Sequence, residues 1–312
     1  MVALGVVIDR KCNIRCDHCC FSSNPQAEEH LTDEQILRIV EEGCESPAID
    51  TISLSGGEAL LRKPLVLEVL RIAKSHGKAA TLVTNGFWGQ NKKRAKETLL
   101  ELKEAGLCAL KISFDDFHQE LLKVEKVKNI LDANLGVRMP IALNVAVSKE
   151  FSSDGILAAL GESLMGIKVI KFPIQRVGAA KQYPEDSIIR RHRLEDDLTC
   201  PGFEPTYHYD GKVYPCCSPT VFTTDLAFGK AEDLSVERAV SSIERNLLFA
   251  AIRQKGFKWI FERCIEVGVL DTSYSERNYV DACEMCQILF SNPHTLKAVA
   301  SIVSNEYASV SK

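Results

Sequence analysis

No apolar run in this sequence approaches the ~18 residues needed to cross a membrane as a helix. The N-terminal stretch MVALGVVID has neither a basic region nor a cleavage site, so it reads as a strand and not as a secretory signal. An excess of one charge is also lacking. A net charge of −4 with an isoelectric point near 6.0 gives no electrostatic case for nucleic acid or an anionic membrane as partner. Internal repeats and low-complexity tracts are absent. The 312 residues, 46% hydrophobic and 26% charged, suit a soluble globular chain of one large domain with an appendage, or two modest domains. Against these absences stand twelve cysteines. Without a secretion signal they point to metal ligation in a reducing, cytoplasmic setting, not to a disulfide framework.

Three of them, Cys12, Cys16 and Cys19, form C-x3-C-x2-C directly after the short apolar segment from Ala3 to Ile8. One compact loop can wrap three thiolates around a four-iron cube, which leaves one iron open to a small molecule. Zinc sites more often pair C-x2-C with a second pair downstream, and a triplet spaced three then two fits them poorly. The spacing resembles the signature of radical S-adenosylmethionine (SAM) enzymes. That resemblance implies that SAM chelates the open iron through its amino and carboxylate groups.

Apolar β-rich segments alternate with amphipathic helical ones to about residue 180. Strands are expected at Leu4–Ile8, Thr51–Leu54, Ala80–Thr84, Ala109–Phe114, Ile141–Val147 and Val169–Ile174. Between them, Thr32 with Gln35 reads as a capping box, and Pro64 as a first-turn proline. Leu99, Leu102 and Leu107 mark a third helix, and Leu121 to Leu131 a fourth. Such alternation implies parallel βαβ units, an α/β fold. It resembles the partial (β/α)6 barrel of radical SAM enzymes over residues 1–190, where chemistry sits at the C-terminal ends of the strands. The run from Arg190 to Asp197 reads as a charged surface linker, and residues 191–312 as a cysteine-rich extension ending in a helix from Thr295 to Ala308.

The second strand ends in Ser55, Gly56, Gly57 and Glu58. Glycines let the backbone approach a ligand, and a carboxylate can pair with an ammonium. The run resembles the family's GGE motif, which implies that it holds the amino group of SAM. By the same resemblance, Ser113 and Asp115 at the end of strand four are candidates for the ribose hydroxyls, with Asn85, Asn144, Gln175 and Arg176 on the same face. His18 stands where the family usually has an aromatic whose backbone meets the adenine.

Cys200 is followed by ten residues, Gly211, four more residues and Cys216, with a hairpin turn expected at Tyr209–Gly211. This C-x10-G-x4-C pattern resembles the opening of the SPASM and twitch extensions, which hold auxiliary clusters. A C-x2-C pair follows at Cys283 and Cys286, and no cysteine comes after it. One auxiliary [4Fe–4S] cluster on Cys200, Cys216, Cys283 and Cys286 is the economical assignment, although a zinc ion on the same thiolates satisfies the spacing too. Of the remaining thiols, Cys44, Cys108 and Cys264 read as core residues, and Cys20 extends the first loop. Cys217 abuts a ligand where the extension should meet the barrel mouth. Its weak S–H bond suits hydrogen-atom donation to a carbon radical.

The text from Cys12 to Ser23 resembles the radical SAM peptide epimerases that make epipeptides. That resemblance implies an isomerase acting on a ribosomally synthesised precursor peptide. A SAM-derived radical takes a Cα hydrogen from an L-residue, and Cys217 returns one from the opposite face. It also implies two [4Fe–4S] clusters and a flavodoxin- or ferredoxin-type electron donor. The sequence starts at strand one, so the peptide is expected to bind the barrel mouth and extension without a preceding leader-binding domain. Alternatives are a maturase forming thioether or carbon–carbon cross-links, an enzyme acting on a small metabolite, and an iron–sulfur redox sensor, which the GGE run argues against.

Overall fold

The computed structural model describes residues 2–310. Six parallel strands, β1 (Val2–Val7), β2 (Ile49–Ser55), β3 (Ala79–Thr84), β4 (Ala109–Ser113), β5 (Ile141–Val147) and β6 (Lys168–Pro173), lie side by side in chain order. Each lies within two residues of its expected bounds. The connecting helices are α1 (Asp33–Glu45), α2 (Lys63–Ser75), α3 (Lys92–Ala105), the short α4 (Asp116–Gln119), α5 (Val124–Val137) and α6 (Asp154–Leu160). Thr32 and Gln35 cap α1 reciprocally, and Pro64 lies in the first turn of α2. The fourth helix starts later than Leu121 because Asp115 caps a separate turn first, and Leu107 falls beyond the end of α3.

The two faces of the sheet differ. Leu4, Val6, Ile52, Leu54, Leu82, Leu110, Ile112 and Leu143 point outward under the helices and are buried. Their register partners on the other side, such as Gly5, Ser53, Thr81, Ser113 and Asn144, are small or polar and face the concave interior.

A seventh strand was not legible in the sequence. β7 (Thr206–His208) adds to the free side of β1 in parallel, and β8 (Lys212–Tyr214) and β9 (Gly229–Lys230) continue the sheet antiparallel. The expected turn joins β7 to β8, with Gly211 at φ +80°, a conformation that favours glycine. Beyond the sheet come α7 (Val236–Glu244), α8 (Leu247–Glu266), α9 (Ser273–Glu276), α10 (Ala282–Phe290) and α11 (Pro293–Val310). They enclose a second apolar core around Phe249, Phe257, Phe261, Met285 and Phe290.

The stretch from Arg190 to Asp197 is not a free surface linker. Leu194 is buried in the second core, and Arg190 pairs with Glu185 and Glu284, each at 2.8 Å. Burying one leucine is worth roughly 1.5–3 kcal/mol, enough to pin a short charged segment. Cys44 and Cys264 are core residues as expected, whereas Cys108 is exposed at the start of β4. Among the described residues, no helix is long and apolar enough to cross a membrane.

Candidate functional site

Asp9 to Lys11 continue β1 into the cysteine loop, and the Gly-Gly-Glu run pairs with them. The Gly57 and Glu58 amides donate to the carbonyls of Asp9 and Lys11, both at 2.8 Å. A Cβ on Gly57 would sit 2.1 Å from the Lys11 carbonyl oxygen. That glycine is therefore required by the approach of the cysteine loop, before any ligand is considered.

The loop is pinned at several points. The Cys12 amide donates to Asn24 at 3.1 Å, Ala179 donates to the Cys19 carbonyl at 2.9 Å, and the Ser23 amide reaches Cys19 Sγ at 3.3 Å. Asn85 Nδ2 donates to Asn13 Oδ1 at 2.9 Å and approaches Cys12 Sγ at 3.6 Å, so Asn85 braces the cysteines. Cys12 and Cys16 are buried, and Cys19 is half-buried. Burial pushes Cys12 up to about 12 and Cys16 higher still, and the fields of the neighbouring thiols add to both shifts. Metal binding here must release protons.

Glu58 lies beneath this loop, 1% exposed. It accepts from the Thr84 hydroxyl at 2.9 and 3.0 Å, the Asn85 amide at 2.8 Å and the Leu60 amide at 3.1 Å. Burial outweighs these donors and raises its pKa to about 7. Ser55 closes β2, where its carbonyl accepts from Ile8 at 2.9 Å. Ser113 and Asn144 are register partners on the inner face.

Asp115 is also committed to the protein. It accepts from His118 Nδ1 at 2.7 Å and from the Ala146 amide at 3.1 Å. Burial works against its ionisation, but His118 and His18 outweigh it and lower its pKa. His18 stacks on Phe117 with centroids 4.4 Å apart, and burial lowers its pKa to about 4. Gln175 reaches across to Asp281 at 2.8 Å, and the Arg176 guanidinium is held by Glu185 and by the Lys181 carbonyl. Neither contact is to the cysteine loop.

Cys200, Cys216, Cys283 and Cys286 line one pocket with Phe203, Ile252 and Phe257. Burial and the other thiols of the set raise Cys216, Cys283 and Cys286. Among the described residues, the group of three or more ligating side chains whose donor atoms all lie within 4.8 Å is His18, Asp115 and His118, with no cysteine in it. Around a tetrahedral zinc, with Zn–S of about 2.3 Å, the sulfurs would sit about 3.8 Å apart. Among the described residues, neither cysteine set has three sulfurs gathered within 4.8 Å of one another.

Cys217 is an exposed residue, yet its thiol is pushed up to about 12, first by its low-polarity surroundings and then by the Glu204 carboxylate. Lys111 on β4 acts in the opposite direction. Sequence reasoning missed Glu204 and Lys111. The two-residue period of β4 carried a signal for the latter, since Lys111 shares its face with Ser113.

The sequence pattern of the radical SAM superfamily matches residues 6–135. The YydG protein of Bacillus subtilis (strain 168), whose name assigns it provisionally to peptide biosynthesis, is 36% identical over 293 residues, 93% of this chain and 92% of that protein. GTP 3',8-cyclase of Moorella thermoacetica is 30% identical over 168 residues, 49% of each chain. Among solved structures, native anSMEcpe with bound AdoMet and a Cp18Cys peptide has a TM-score of 0.58 at 12% identity, covering 97% of this chain and 99% of that one. At that identity the likeness is one of fold.

Proposed function

The chain belongs to the radical SAM superfamily, whose members use a [4Fe–4S] cluster and SAM, and we propose that it inverts Cα centres in a ribosomally made precursor peptide. The observation that carries this reading is Cys217: a thiol held neutral by its surroundings, within the fields of Glu204 and of Lys111 on the inner face of β4, and next in the chain to the auxiliary ligand Cys216. A relative named for peptide biosynthesis over nearly the whole chain supports the peptide part.

In this reading Cys12, Cys16 and Cys19 hold the first cluster. Ser55 to Glu58, Asn85, Ser113, Asp115 and Asn144 surround SAM, with His18, Gln175 and Arg176 at the rim. Cys200, Cys216, Cys283 and Cys286 hold the second cluster. The division into a barrel of residues 1–190 and an extension of 191–312 goes with this assignment. Cluster and SAM, when bound, supply a carbon-centred radical able to take a hydrogen atom from a peptide Cα. Glu204 orients the Cys217 S–H bond. That bond breaks as a new Cα–H bond forms on the opposite face. The sulfur then regains one electron and one proton before the next turnover, the electron coming from a flavodoxin- or ferredoxin-type donor.

Product made in D2O should gain about one dalton per inverted residue, with the elemental composition of the substrate kept. The Cys217→Ala variant should still load iron and cleave SAM but form no D-residue. A product two daltons lighter with no deuterium uptake would establish cross-linking and overturn epimerisation.

A further inference from the structure

The inner face of the sheet is open where a closed barrel would be packed. In a closed barrel, bulky branched side chains from alternate strands fill the centre. Here the corresponding rows carry Gly5, Ser53 and Thr81, and nearer the mouth Ser113 and Asn144. Small side chains leave a groove able to admit an extended chain.

One row of that groove is cationic. The register aligns Lys111 of β4 with Ala142 of β5, and Ala142 with Lys168 of β6. Both lysines therefore face inward at one level, two strand spacings or about 10 Å apart. An extended peptide covers that distance in about three residues. Both side chains are exposed, and neither has a carboxylate partner among the described residues. Lys171, three residues along β6 and on the opposite face, shows the contrast: it pairs with Asp154 at 2.5 Å. Lys111 is a cation whose field reaches the Cys217 thiol. At the mouth end of β6, Phe172 shares the inner face with Lys168 and is 42% exposed.

We propose that the Lys111–Lys168 row is a carboxylate-binding subsite for the substrate peptide. The segment that enters the groove carries one acidic side chain, or two spaced about three residues apart, close to the residue presented to Cys217. Charge complementarity selects this occupant, because two unpaired ammonium groups on a concave wall favour an anionic guest. The inference rests on the peptide reading above and adds to it a class of substrate sequence.

The test uses the reconstituted, SAM-loaded enzyme under anaerobic conditions. The probes are three fluorescein-labelled decapeptides that differ only at two positions three residues apart, bracketing a central isoleucine, which hold glutamate, glutamine or lysine. By fluorescence anisotropy the glutamate peptide should bind about tenfold more tightly than the glutamine peptide at low salt, with the gap closing as salt rises. Lys111→Gln should abolish the preference, and Lys111→Glu should reverse it towards the lysine peptide, both with wild-type iron content and wild-type SAM affinity. Equal binding of all three peptides, no binding of any, or an effect of Lys111→Gln on SAM affinity alone would overturn the subsite. The mass test in D2O is independent. Glutamate preference without deuterium gain would keep the subsite and remove epimerisation.

Discussion

At the scale of single residues, Glu58 shows how one side chain serves two demands. Its carboxyl braces Thr84, Asn85 and Leu60, and so ties β2 to β3 directly below the cysteine loop. Burial holds its pKa at about 7, so near neutrality the group is poised between its two states. If the carboxylate pairs with the SAM ammonium, binding requires the ionised form. Below pH 7 the free chain must then lose a proton to bind. SAM affinity should fall as the pH drops from about 7 towards 5, by up to about tenfold per unit. Glu58→Gln removes the charge-assisted bond, typically ~1.5–3 kcal/mol, so affinity at pH 8 should drop about tenfold or more and the pH dependence should flatten. Equilibrium binding of SAM across that pH range checks both effects, with iron content as the control for folding. Unaltered affinity in the variant would remove Glu58 from the SAM site.

At the scale of elements, α10 positions two thiols and depends on its first turn. Asp281 caps it by accepting from the amides of Cys283 at 2.9 Å and Glu284 at 3.1 Å, and the same side chain receives Gln175 from the end of β6. Asp281→Ala removes both the cap and the bridge to the barrel. A cap of this kind is worth about 1 kcal/mol. The variant should unfold at slightly lower denaturant and should lose about half its iron on gel filtration, while Asp281→Asn should keep most of both. Retention of full iron by the alanine variant would show that α10 holds its cysteines without the cap. The parallel strands were legible because the outward residues of β1 to β5 are largely apolar, as in Leu110 and Ile112, whereas β6 carries Lys171 on that face. β7 was not. It has three residues, and its partner β1 lies about two hundred positions away, so no local pattern announces the pairing. For the same reason Glu204 was invisible: the β7–β8 hairpin brings its backbone to Pro215 at 2.9 Å and its carboxylate near Cys217. The cysteines were legible because ligation needs a fixed residue type at fixed spacing. The need for Gly57 was legible too, but its reason was not, since only the fold shows the Lys11 carbonyl against it.

At the scale of the whole molecule, the two larger apolar cores share one sheet, and each carries its own set of thiols. The first core packs behind the parallel strands and includes Cys12 and Cys16. The second gathers the helices after β9, with Cys200, Cys216 and Cys286 packed at its margin. Cys217 follows Cys216 in the chain and lies within the field of Lys111 on β4. This layout predicts that the two metal loads are separable. Anaerobic reconstitution should give about eight irons per chain, two cubes' worth, and no zinc. Replacing Cys12, Cys16 and Cys19 together with alanine should remove about half the iron and all SAM cleavage, with the second core still folded. Replacing Cys216 alone should destabilise the other half, whereas Cys217→Ala should leave the iron count unchanged. A zinc ion would draw four thiolates to about 3.8 Å from one another, closer than any three cysteine sulfurs lie among the described residues. Four irons with one zinc in the wild-type protein would mean that the extension closes around the smaller ion, and Cys217 would then have no redox-active neighbour. Iron loss in Cys217→Ala but not in Cys216→Ala would exchange the roles of the two adjacent thiols and move the hydrogen donor one residue back along the chain.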